Sequence, residues 1–197
     1  MNRTPILPYV SVFLLASIIV AVLYTALFAI TEYVLNPLQD LFYPNLSSTL
    51  SLTFLPHGVR VLATIVMGWR AVPALVLASL FCGHFFFGIN DSTALVLLAI
   101  ISGFGPWVTL SGLRLLDVDA FFLEKSGALP PFRTLLLGGI LCSVTNGLLS
   151  SAILEAYYGV SPVALVQLGY IVGDTTGLII TWIAAQKFIK LLTDLKK

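Results

Sequence analysis

The chain has 197 residues, of which 58% are hydrophobic and only 10% are charged, and its formal net charge at pH 7 is +1. Soluble domains carry about 25% charged residues, so this composition excludes a soluble domain and is typical of a polytopic helical membrane protein. The near-neutral charge also excludes a basic arm for nucleic acid and an acidic tail.

Six apolar segments follow one another along the chain, and turn signals such as glycine and proline separate them. We therefore predict an all-α transmembrane helical bundle that forms a single domain over residues 1–197. A polar and proline-containing stretch, 35–53, is predicted to be a loop. The predicted spans cover about 9–34, 51–69, 71–87, 93–113, 132–158 and 163–185.

The basic residues fix a predicted orientation. If both termini are cytoplasmic, nine of the ten Lys and Arg residues fall on the cytoplasmic side and the outer loops contain none. This is the distribution that the positive-inside rule describes. The tenth basic residue, Arg60, lies inside a span. We expect a multi-pass protein of the plasma membrane, specifically the inner membrane of a bacterium.

A layer of polar side chains is predicted near the middle of the membrane. Arg60 lies ten residues from the cytoplasmic basic residue that flanks its span, or about 15 Å at the helical rise. Asp174, Asn146 and His84 each lie thirteen or fourteen residues from the cytoplasmic basic residue that flanks their own span, or about 20 Å. His57 lies about one turn nearer the outer face. A charge at this depth is costly without a partner, so we predict that Arg60 and Asp174 interact and border a cavity.

Each of these residues has a structural alternative. A buried Arg–Asp pair is in many proteins only a lock between helices, and Asn146 or His84 would then serve as hydrogen-bonding glue. His57 follows a proline at a helix start, so an interfacial role is as good an explanation as ligand contact. The functional interpretation makes Arg60, Asp174, Asn146, His84 and His57 a ligand-binding or gating site.

Catalytic and metal signatures are missing from the sequence. It has no Ser-His-Asp spacing, no His-x-x-x-His pair, no cysteine pair and no phosphate-binding loop. We therefore expect no enzymatic activity, no cofactor and no metal site.

Three short motifs resemble one known family. They are Pro56-His57-Gly58 at a helix start, Gly68 to Pro73 at the following turn, and Gly173-Asp174-Thr175-Thr176-Gly177 in the last span. In this order the motifs are similar to those of MASE1 domains, which are integral membrane sensory domains of bacterial signalling proteins. The resemblance covers about residues 50–190, and Arg60 stands where that family usually has an apolar residue. It implies a sensory or ligand-binding module.

Two functions therefore remain open from the sequence. The first is a stand-alone sensory module that binds a small-molecule ligand and acts through a separate signalling protein. The second is a small-molecule transporter or the substrate-binding subunit of one, which six spans with a polar midplane layer would suit. The expected partners are the lipid bilayer, the signalling protein and the ligand, and a homo-oligomer is compatible with either function.

Overall fold

The computed structural model describes residues 6–44, 51–121, 131–159 and 164–195, and within these ranges the chain is helical with no strand. The α-helices of the described residues are α1 (Ile6–Ile30), α2 (Asn36–Phe42), α3 (Leu55–Met67), α4 (Val72–Phe85), α5 (Ser92–Leu113), α6 (Phe132–Tyr158) and α7 (Ala164–Asp194). Among these residues, five helical segments are long and apolar enough to cross a membrane, with Leu55–Phe85 counted as one segment. The chain is therefore a multi-pass membrane protein with an all-α fold.

The first helix is longer than the predicted first span. A π-helical stretch, Thr31–Leu35, joins α1 to α2 without a break, so most of the predicted loop before residue 43 is helical. Pro37 lies just after the π-helical stretch, where the helix is wider and the Asn36 N–H still bonds the Thr31 carbonyl. The π-helical stretch places Glu32 and Asn36 on the inner side of the bundle, and the Asn36 amide donates to Glu32 at 3.1 Å.

The segment from α3 to α4 is a helical hairpin. The rings of Phe54, before α3, and of Phe86 and Phe87, after α4, all lie 5.0–5.5 Å from the ring of Phe28. Both ends of the segment therefore meet at one place. The reversal occurs in a 3₁₀ turn that begins at Gly68, whose φ of 61° and ψ of −139° favour glycine. Each arm has 13 or 14 residues, which is about 20 Å of helix.

The second predicted span begins too early, because residues 51–54 are not helical. Their backbone is satisfied from neighbouring helices. The N–H of Phe54 donates to the Gly173 carbonyl at 2.8 Å, and that of Leu52 donates to the Gln39 side chain at 2.7 Å. A methyl group at Gly173 would collide with the Ser51 carbonyl. The glycines beside Asp174 thus leave room for this non-helical segment.

The two ends of the bundle carry opposite charge. α3 to α7 alternate in direction, so their connections gather at the two ends. We call one the basic end, with Arg70, Arg114, Arg133, Lys187 and Lys190, and the other the acidic end, with Glu32, Asp40, Asp91 and Glu155. The connecting segments at the acidic end contain no lysine or arginine anywhere in the sequence.

Two apolar clusters hold the helices together. The first packs α1 against the hairpin around Tyr24, Phe28, Leu75 and Cys82. The second, which we call the basic-end core, lies between the middle of the bundle and the basic end and contains Val61, Ile65, Leu110, Leu113, Ala120, Phe121, Leu135, Cys142 and Leu178. Between these clusters the interior is polar, and that region is the candidate site.

Candidate functional site

Arg60 and Asp174 meet in the interior of the bundle. Arg60 Nη2 lies 3.7 Å from Asp174 Oδ1, and His57 Nδ1 lies 3.2 Å from Asp174 Oδ2. The three residues are 3%, 4% and 1% exposed, respectively for Arg60, Asp174 and His57. His57 and Arg60 share one face of α3 because they are three residues apart. The predicted pairing of the two buried charges is what the structure shows.

The guanidinium of Arg60 joins four helices. Nη1 donates to Ser102 Oγ on α5 at 3.0 Å and to Asn146 Oδ1 on α6 at 3.1 Å, while Nη2 lies 3.2 Å from His57 Nδ1. The guanidinium carbon lies 5.7 Å from the centroid of the Phe54 ring, and the buried Nε has no hydrogen-bond partner among the described residues. Both terminal nitrogens of Arg60 are therefore already committed to the protein.

His57 is oriented by a backbone carbonyl. Its Nε2 lies 3.1 Å from the Gly139 carbonyl oxygen on α6. A carbonyl can only accept, so Nε2 carries a hydrogen and Nδ1 faces Arg60 and Asp174. A methyl group at Gly139 would contact the Leu178 side chain and come within 4.0 Å of His57 Nε2. The glycine thus leaves room for the Leu178 side chain.

Hydroxyl groups extend the polar site to α1 and α4. Ser79 Oγ lies 2.9 Å from Ser102 Oγ and 3.2 Å from the Tyr24 hydroxyl. The site therefore draws on six helices. We call it the polar cluster, and its members are Tyr24, His57, Arg60, Ser79, Ser102, Asn146 and Asp174.

A cavity of about 620 Å³ begins at the polar cluster and runs to the acidic end. Its walls are largely aromatic and aliphatic, and its outer part reaches exposed residues such as Phe87 and Tyr158. Its lining includes Tyr24, Phe28, Glu32, Asn36, Phe54, Arg60, Ser79, Phe87, Leu95, Leu98, Ser102, Asn146, Tyr158, Tyr170 and Asp174. The volume is in the range of small-molecule sites, about 300–1,000 Å³.

The structure brings together four of the five residues singled out from the sequence. Arg60, Asp174 and Asn146 line the cavity. His57 is not part of the lining but contacts both Arg60 and Asp174. His84 does not join them, because it lies on an exposed face of α4 with its ring 4.9 Å from that of Phe85. Helical rise gives the depth of His84 but not its direction. The apolar residues of α4 are spread around the helix, so the sequence does not indicate which face turns inward.

Sequence reasoning missed the hydroxyl groups and Glu32. Serine and tyrosine are unremarkable in apolar spans, so Ser79, Ser102 and Tyr24 had no signal of their own. Glu32 did have one, since it is the first charge in an otherwise uncharged span. In the described parts of the chain, no three His, Cys, Asp or Glu side chains gather in a way that could hold a metal ion.

The chain was compared with known proteins, and no family model, no curated protein and no solved structure matches it. The resemblance to MASE1 domains therefore stays a prediction. The function has to be argued from the geometry of the site.

Proposed function

We propose that the protein is a membrane-embedded sensory module that binds a small molecule in the cavity and acts through a separate signalling protein. The observation that carries the proposal is the position of the buried Arg60–Asp174 pair at the closed end of a cavity of ligand size. A pair that served only as a lock between helices would need no cavity of ligand size beside it.

The architecture of the polar cluster supplies a route from ligand to signal. One guanidinium holds α3, α5, α6 and α7 together, and its neighbours Ser102 and Ser79 connect it to α4. A ligand that competes for the Asn146 amide or the Asp174 carboxylate changes contacts of several helices at once. A ligand shifts a conformational equilibrium only through such differential contacts.

For the topology, we propose six spans with both termini in the cytoplasm of a bacterium. The two arms of the α3–α4 hairpin count as separate crossings, and the charge difference between the ends supports this orientation through the positive-inside rule. The cavity then opens to the periplasm, and its ligand arrives from outside the cell.

Transport is the alternative, and one observation bears on it. The basic-end core closes the bundle between Arg60 and the basic end. Transport would require this packed core to open, since alternating access moves the barrier from one side of the binding site to the other. Binding alone requires no such opening.

The test is a thermal-shift screen of small polar and amphipathic compounds against the purified protein in nanodiscs. Asn146→Leu removes the amide that faces the cavity and is the matched loss-of-binding variant. Asn90→Leu makes the same exchange at an exposed position outside the cavity lining. Compounds that stabilise the wild type and Asn90→Leu but not Asn146→Leu are the expected result. A screen with no such compound would overturn the proposal.

The hits then separate sensing from transport. Proteoliposomes are loaded with the wild type, and accumulation or exchange of a radiolabelled hit is measured across the membrane. Binding without translocation is the expected result. Saturable uptake that Asn146→Leu abolishes would favour the transporter.

A further inference from the structure

We infer that the ligand of the cavity is an organic cation, namely a protonated amine on an apolar or aromatic body. The inference rests on the proposed ligand-binding function and assigns its chemical class. Its evidence is the charge balance of the lining, the state of each polar group in it, and the charge at its mouth.

The charges of the lining do not cancel. The cavity is lined by three ionic side chains, Arg60, Asp174 and Glu32. Arg60 and Asp174 offset each other at 3.7 Å. Glu32 receives the Asn36 amide at 3.1 Å, but no Lys, Arg or His of the described chain lies within salt-bridge distance of it. The missing positive charge is the one a ligand would bring.

Asp174 also has unused accepting capacity. A carboxylate offers about four lone-pair positions. Beyond the contacts with His57 at 3.2 Å and Arg60 at 3.7 Å, the Asp174 carboxylate receives no hydrogen bond from the described residues, although it is only 4% exposed. A buried acceptor with so few partners favours a ligand that donates hydrogen bonds.

The cavity offers an anionic ligand few free hydrogen-bond donors and little positive charge. Among the described lining residues only Arg60 is basic. Both of its terminal nitrogens are committed to Ser102, Asn146 and His57, and the remaining Nε is closed off from the cavity. Asp174 and Glu32 would both repel an anion. The chemistry of the lining therefore selects against a carboxylate or phosphate.

The aromatic walls of the cavity and the charge at its mouth also favour a cationic ligand. Rings of Phe28, Phe54 and Phe87 also line the cavity, and aromatic rings attract an ammonium group through their π faces. The mouth lies at the acidic end, where the connecting segments hold carboxylates and no basic residue. Carboxylates around a mouth attract cations and raise their association rate.

The experiment compares three probes of nearly equal shape. Tryptamine is cationic at pH 7, indole-3-propanamide is neutral and indole-3-propionate is anionic. Each is titrated into wild-type protein in nanodiscs, with binding measured by isothermal titration and by the shift in melting temperature. We expect tryptamine to bind at least tenfold more tightly than the propionate, with the amide between them.

Two variants locate the effect. Glu32→Gln removes the charge but keeps an acceptor for Asn36, so the protein should fold, and we expect tryptamine affinity to fall at least tenfold. Glu155→Gln removes a carboxylate from the same end but outside the cavity lining, and should change affinity less than twofold.

The outcomes separate this inference from the proposed function. If the propionate or the amide binds best and Asn146→Leu abolishes that binding, the cavity is a ligand site but the cation assignment is wrong. If tryptamine binds equally well to wild type and Glu32→Gln, or if none of the three probes binds, the cation assignment is overturned as well. The proposed function is then judged by its own compound screen.

Discussion

The coupling between Arg60 and Asp174 can be measured by a double-mutant cycle with Arg60→Met and Asp174→Asn. Two unit charges about 4 Å apart interact by about 4 kcal/mol at an effective dielectric constant of 20. The observed separation of 3.7 Å is close to that distance. Part of this energy offsets desolvation of the two groups, so we expect a measured coupling of about 2 kcal/mol.

The two single changes should differ in cost. Arg60→Met leaves the Asp174 carboxylate buried with only His57 beside it, which should cost about 4 kcal/mol. Asp174→Asn leaves Arg60 with Ser102, Asn146 and His57 as partners, which should cost about 2 kcal/mol. The double variant should then lose about 4 kcal/mol, less than the sum of the singles.

The assay is the free energy of unfolding from titration with sodium dodecyl sulfate in mixed micelles. The pair Arg114–Asp119 is the control, because its nitrogen–oxygen distance of 3.1 Å is shorter but its side chains are 42% and 22% exposed. Arg114→Met with Asp119→Asn should show a coupling below about 1 kcal/mol. Additive losses at Arg60 and Asp174, or a larger coupling in the control pair, would refute the electrostatic reasoning.

Three further predictions follow from the fold. Gly177→Ala should destabilise the protein by about 1–3 kcal/mol, because the added methyl group would collide with the backbone just before α3. Gly112→Ala is the control and should be neutral or slightly stabilising, because nothing lies near that position. Equal effects of the two variants in thermal unfolding would contradict this packing. His57→Ala should cost about 1–3 kcal/mol, since it removes the donor to the buried Gly139 carbonyl and the Nδ1 acceptor of Arg60 Nη2, and an unchanged melting temperature would rule this out. Reporter fusions after Asn90 and at Lys197 should report opposite compartments, and the same compartment for both would sink the six-span topology.

The depth of the polar cluster along the helices was predictable from the sequence. The direction in which each side chain points from its helix was not. Helical rise alone put Arg60, Asp174 and Asn146 at similar heights, because apolar spans are nearly straight and begin at recognisable turns. Which way each side chain turns depends on the contrast between two faces of a helix. α4 has no such contrast, so His84 could be placed in height but not in direction.

The irregular segments were the least predictable part of the fold. Residues 51–54 have a composition compatible with a helix, and they stay extended because Gly173, Gln39 and the hydroxyl of Thr176 satisfy their backbone. Partners that lie 13 to more than 120 residues away cannot be seen in a local window. The same holds for Thr31, at the start of the π-helical stretch, whose hydroxyl accepts the N–H of Leu55 at 3.3 Å.

The shortness of the α3–α4 hairpin has a consequence for the surrounding lipid. Acyl chains beside the exposed side chains of Leu77, Phe81 and Phe85 meet about 20 Å of helix, whereas the hydrocarbon core of a bilayer is about 30 Å thick. Hydrophobic mismatch of this kind is relieved by local thinning of the bilayer. Trp69 and Phe87, both exposed at opposite ends of α4, would mark the height of the thinned layer. A change in membrane thickness would therefore act on α4, which forms part of the cavity wall.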